Sequence, residues 1–186
     1  KSALIEAIAI AAGFDAACGP LRDLEFRGVI HPTHSTLSRW MHLRGGDIPP
    51  RGYFLRAETH YDTVTIHDRK SNAEQFRHEM SHGESVMSIL GDHVNGAGLY
   101  IFDEPESGLS VVRQMALVAE IHQAVKRGAQ FIIATHSPII LAIPDAAIVD
   151  ITDHGLEDTV YEEAEAVIAT REFLEDPQGT IRYILE

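Results

Sequence analysis

Unbroken apolar runs alternate with helical apolar spacing along this chain, and their order predicts most of its architecture. Residues 2–12, SALIEAIAIAA, are strong helix formers followed by Gly13, which suits a helix end. Residues 19–68 are irregular, with Pro20, Pro32 and a GGDIPP turn at 45–50, and with short extended candidates at 53–57 and 63–66. Residues 71–80 are polar and read as helix, and a more apolar helix starts at 85–90 behind Ser81-His82-Gly83-Glu84. Beyond them, the apolar run 99–102 ends in two carboxylates, a helical pattern covers 110–126, and a second apolar run covers 131–134. Continuous apolar strands alternating with helices predict an α/β fold whose mostly parallel sheet is covered on both faces. A short strand at 147–151, a hairpin partner near 159–161, and one or two helices over 162–185 complete the pattern.

At 186 residues and 45% hydrophobic side chains, the chain can bury one substantial core, and we read residues 1–186 as a single domain. No run approaches the roughly 20 apolar residues of a membrane-spanning helix, so no membrane insertion is expected. Cys18, the one cysteine, lacks an internal disulfide partner and points to a reducing, cytoplasmic setting. The 15 Lys+Arg against 28 Asp+Glu give a net charge of -13, opposite in sign to the usual footprint of a nucleic-acid binder. Arg39, Arg44, Arg51 and Arg56 leave a local basic patch open, and with it nucleic acid as a partner. The chain opens on Lys1 with no leader, and reads as an N-terminally truncated fragment.

Four places along the chain carry chemistry. The run at 99–105, LYIFDEP, delivers Asp103 and Glu104 to the carboxyl edge of a parallel sheet, where ligands of open α/β folds bind. There Asp103 is suited to Mg²⁺ and Glu104 to orienting or deprotonating a water, against the plainer reading of a strand ending in a solvated acidic turn. His136, in ATHSP after the next apolar strand, follows Glu104 by 32 residues and can hydrogen-bond a phosphate or steady a water. Alone, such a histidine is more often structural. Ser81 and Gly83, ahead of a helix, can form an anion site from a hydroxyl and unpaired amides, or a simple capping turn. Lys1-Ser2 matches the last two positions of the phosphate loop G-x-x-x-x-G-K-[ST], in which Lys reaches phosphates and Ser holds Mg²⁺.

In this order the motifs resemble those of the ABC-type ATPase nucleotide-binding domain, in the soluble branch related to chromosome-maintenance and recombination-repair ATPases. The likeness runs from the end of the phosphate loop through a signature (SHGES), a Walker B strand (LYIFDEP), a D-loop (ESGLS) and a switch histidine (ATHSP). It implies a P-loop NTPase fold whose first strand and most of the phosphate loop precede this chain. It implies ATP and Mg²⁺ as cofactors, Glu104 and His136 as catalytic residues, and Ser2 and Asp103 as metal ligands. Lys1, Ser2, Ser81 and Gly83 would bind nucleotide, Ser81 and Gly83 across a head-to-tail homodimer with residues 107–110 along its interface. The chain departs from the family at its signature, usually LSGGQ-like, and in showing no Q-loop glutamine, for which Gln75 and Glu58 are poor stand-ins.

An ATP-binding subunit of a membrane transporter and a degenerate, non-hydrolysing scaffold are the competing readings. His31/His34 and His78/His82 lack the further ligands of a zinc site. Met80, Met87 and Met115 read as packing residues, and Arg113 and Gln114 as an exposed helix face.

Overall fold

The computed structural model describes residues 1–16, 18–21, 36–44, 51–56, 82–94 and 96–185, the side chains of 82–85 excepted. Outside the described residues lie Ser81, the extended candidate at 63–66, the helix expected at 71–80, and Glu58, Gln75, His31, His34 and His78. The described chain divides into two compact units, residues 1–135 and 136–186.

The first unit is built on a four-stranded sheet in the order β1 (Gly19–Pro20), β2 (Gly52–Arg56), β3 (Gly98–Asp103), β4 (Ala129–Ala134). The β2, β3 and β4 strands run parallel, and the two-residue β1 pairs antiparallel with β2. A mixed α/β fold with a mostly parallel sheet flanked by helices is therefore what the chain forms. The sheet is tight at its entry: a Cβ on Gly52 would run into the Leu99 carbonyl, and one on Gly98 would lie 3.0 Å from the Arg51 carbonyl. Every residue of β3 is buried, because β3 is paired on both edges and covered on both faces.

Alternation along the strands decides what each face carries. Phe54, Leu99 and Ile101 point one way and pack with Ile5, Ala9, Ala12, Phe14 and Cys18, so helix α1 (Ser2–Ala11) covers that face. The helix spans the expected segment and ends where Gly13 takes φ +94°, a conformation that costs glycine little. The opposite face carries Tyr53, Tyr100 and Phe131, which are register partners across the three parallel strands. Tyr100 stacks on Phe131 at 5.2 Å and donates from its hydroxyl to the carbonyls of His93 and Gly96. Tyr53 meets the ring of His93 at 4.7 Å, which brings the end of helix α2 (His82–His93) to this face.

Helix α3 (Val111–Lys126) connects β3 to β4 and buries Leu117, Ile121 and Ala124, a stripe at helical spacing. Ser110 caps it by accepting from the Arg113 amide. Met115 lies off the stripe and is exposed, contrary to its expected packing role.

The second unit opens with a short helix, α4 (Pro138–Leu141), whose first turn is capped by the Ser137 hydroxyl accepting from the amides of Ile139 and Ile140. Next comes an antiparallel hairpin, β5 (Ile148–Thr152) with β6 (Gly155–Thr159), and then helices α5 (Glu165–Glu175) and α6 (Pro177–Leu185). The hairpin partner lies earlier than expected because Gly155, at φ +126°, closes a tight turn directly after β5. Among the described residues, no helix is long and apolar enough to cross a membrane.

Candidate functional site

Chemistry in the first unit gathers at the carboxyl ends of β2, β3 and β4. The register sets Arg56, Asp103 and Ala134 side by side as the last residues of the three parallel strands. Strand parity then fixes direction: Asp103 falls two residues after Ile101 and Arg56 two after Phe54, so both belong to the face that α1 covers. The first turns of α1 meet them there.

Ser2 donates from its hydroxyl to Oδ1 of Asp103 at 3.2 Å, although the two residues are 101 positions apart. Asp103 is only 4% exposed. On its other oxygen, Nε of Arg56 lies 3.7 Å from Oδ2, an ion pair rather than a hydrogen bond. The same guanidinium donates through Nη1 to Oε2 of Glu6 at 2.6 Å, a charge-assisted bond with both side chains largely buried. Lys1 is exposed, and its ammonium donates to the Thr135 carbonyl at 3.4 Å, just past the end of β4.

Glu104 follows Asp103 with φ +52°, in the left-handed region that non-glycine residues rarely occupy. Its amide donates to the Ala134 carbonyl at 2.9 Å, and Pro105 behind it is fully buried, so the turn is held in this conformation from both sides. The result is a half-buried carboxylate turned out of the strand direction at the sheet edge. Strained backbone of this kind concentrates at functional positions. One turn further, Glu106 accepts from the Thr135 hydroxyl at 2.7 Å, tying the segment after β3 to the segment after β4.

Of the residues singled out in the sequence, Lys1, Ser2, Asp103 and Glu104 thus come to one edge of the first unit. Gly83 lies in the first turn of α2. His136 is the exposed first residue of the second unit, directly after Thr135 in the chain. Two functional candidates escaped sequence reading, Glu6 and Arg56. The signal for Glu6 was present: it is the only charge within SALIEAIAIAA, and a glutamate on an apolar helix face is rarely buried without a partner. In the sequence Arg56 stands only among the cations of a candidate local basic patch, whereas strand parity sends it inward with Phe54.

One hydroxyl and one carboxylate in contact make a hard-oxygen donor set, suited to Mg²⁺ completed by waters and phosphate oxygens. Among the described residues no group of three or more His, Cys, Asp or Glu forms a candidate metal cage.

Residues 56–142 match the family described as "AAA domain, putative AbiEii toxin, Type IV TA system", a P-loop NTPase-type family. No curated protein and no solved structure matches the chain. The matched span runs from the tip of β2 through Asp103, Glu104 and Thr135 to the end of α4, and with the parallel sheet it supports placing this chain in the P-loop ATPase superfamily, with a nucleotide-binding, ATPase-like function.

Proposed function

We propose that the chain is the ATP-hydrolysing domain of an ABC/SMC-like ATPase that pairs head to tail with a second copy around Mg-ATP. What carries this reading is the hydroxyl of Ser2 against Oδ1 of Asp103, since it joins a helix start to the buried tip of the central strand with the two oxygens Mg²⁺ uses. Mg²⁺ there would neutralise charge developing on the transferred phosphoryl group. Ser2 and Asp103 would hold it.

Lys1 acts as a compact positive charge toward the phosphates, on a flexible stem that now reaches the carbonyl of Thr135. Glu104 orients the attacking water and accepts its proton, from a backbone conformation that turns it away from the strand axis. The parts given to His136, which would hydrogen-bond the γ-phosphate, and to Ser81 and Gly83, which would bind the nucleotide of the second copy, rest on the sequence motifs. In the ATP-bound dimer, residues 107–110 would run along the interface.

Glu104→Gln tests the assignment, because an amide keeps the shape of the side chain but cannot take a proton. Turnover measured by phosphate release should fall by about 10²-fold or more, the usual worth of a general base. Nucleotide binding should persist, and light scattering should show an ATP-dependent dimer. Turnover within threefold of wild type would remove Glu104 from this role.

A further inference from the structure

Four side chains from three elements close into a ring beside the proposed metal position. Ser2 and Glu6 lie four residues apart in α1 and share one helix face. Arg56 and Asp103 are register partners at the ends of β2 and β3. Around the ring, Ser2 donates to Asp103 at 3.2 Å, Arg56 donates to Glu6 at 2.6 Å, and Arg56 stands 3.7 Å from Asp103. The arginine is therefore shared unequally, hydrogen-bonded to one carboxylate and held just short of the other. Its buried Nε–H makes no hydrogen bond, and neither does the buried Oε1 of Glu6.

Stability is a weak reason to keep such a pair, since a well-packed apolar pair of similar volume is often at least as stable. An apolar residue at position 6 would leave the arginine to close on Asp103. With Glu6 present, the guanidinium's charge is held partly off the carboxylate that is to meet a cation. A unit charge at this range, with the Arg56 and Asp103 side chains only 15% and 5% exposed, is weakly screened and acts strongly on any second cation.

We propose that the Glu6–Arg56 pair sets the divalent-cation affinity of Asp103, with Arg56 a competing cation kept at part strength by Glu6. The proposal rests on the Mg-ATP reading above. Both are positioning residues: they act on the metal through the carboxylate. The arrangement requires opposite signs from two variants. In Glu6→Gln the anchor loses its charge, the guanidinium moves fully onto Oδ2, and cation binding weakens. In the double variant Glu6→Gln/Arg56→Gln the competing charge is gone, two neutral amides stand in place of the ion pair, and cation binding tightens.

The test is a Mn²⁺ titration of the full-length protein with ADP present, followed by electron paramagnetic resonance of the free ion, with thermal melts to check folding. The dissociation constant should rise about tenfold in Glu6→Gln and fall about tenfold in the double variant, and Asp103→Asn should lose the site; a tenfold change corresponds to about 1.4 kcal/mol. A purely structural role would move both ring variants in the same direction. If they do so, or if both stay within threefold of wild type while Asp103→Asn loses the site, the proposal falls and the Mg-ATP reading stands. Should Asp103→Asn bind Mn²⁺ like wild type, the Mg-ATP reading itself fails and takes the proposal with it.

Discussion

The strands β3 and β4 look alike in the sequence and differ in the fold. Both are apolar runs that lead into a chemical motif, yet β3 is buried at all six positions while β4 is buried only at Ala129. Among the described residues β4 pairs on one side alone, with β3, whereas β3 is held between β2 and β4. Their tips are fixed by different means. Asp103 and Glu104 are set by backbone pairing on both sides and by Ser2 and Arg56, whereas Thr135 is tethered by the side chains of Lys1 and Glu106. An apolar run thus reports that a strand belongs to the sheet, and says little about how completely it is buried or how firmly its end is held.

The largest expected effect that separates the two strands is on their aromatic residues. Phe102, fully buried in β3, meets the half-buried Phe131 of β4 edge to face at 5.4 Å, so both truncations forfeit this ring contact, and Phe131→Ala gives up the stack on Tyr100 as well. Phe102→Ala also opens a closed cavity and should cost about 3–5 kcal/mol, and Phe131→Ala about half as much because solvent can fill part of the space. Urea denaturation of the two variants measures the difference. Equal losses would mean that central and outer position carry no energetic weight here.

A smaller effect should come from the tether at the β4 tip. Thr135→Val preserves shape and removes the hydroxyl that donates to Glu106 at 2.7 Å, so stability should fall by about 1–2 kcal/mol. A denaturation midpoint indistinguishable from wild type would show that the hydroxyl of Thr135 contributes nothing to holding this tip.

How far the sequence made these features legible follows from the same contrast. Local signals were sufficient where the chain's own pattern decides the outcome, as for α1, where helix formers run into Gly13, and for β3, whose apolar run ends at Asp103. They were insufficient where the decision lies in another segment. Arg56 looks like a surface cation until strand parity sets it beside Phe54, and Glu6 looks incidental until Arg56 arrives 50 residues later in the chain. The β6 strand, GLEDT, carries no apolar alternation at all; the turn at Gly155 and the pairing with β5 place it. The aromatic and branched residues near 159–161 drew the expectation too late.

The smallest expected effect concerns the turn that makes the β3 tip unlike the β4 tip. Glu104 sits at φ +52°, a region in which a Cβ crowds the backbone and glycine does not suffer. Two substitutions isolate that cost, since Glu104→Ala and Glu104→Gly both lose the carboxylate and differ in the Cβ. Glycine at an ordinary position would be the less stable of the two, because it frees the unfolded chain; here the order should invert, with Glu104→Gly more stable than Glu104→Ala by about 1 kcal/mol. Both should lose turnover equally. The pair is compared by denaturation midpoint at unchanged slope, and an alanine variant as stable as the glycine one would mean that the left-handed turn stores no strain and that Glu104 owes its orientation to the buried Pro105 and the Ala134 carbonyl alone.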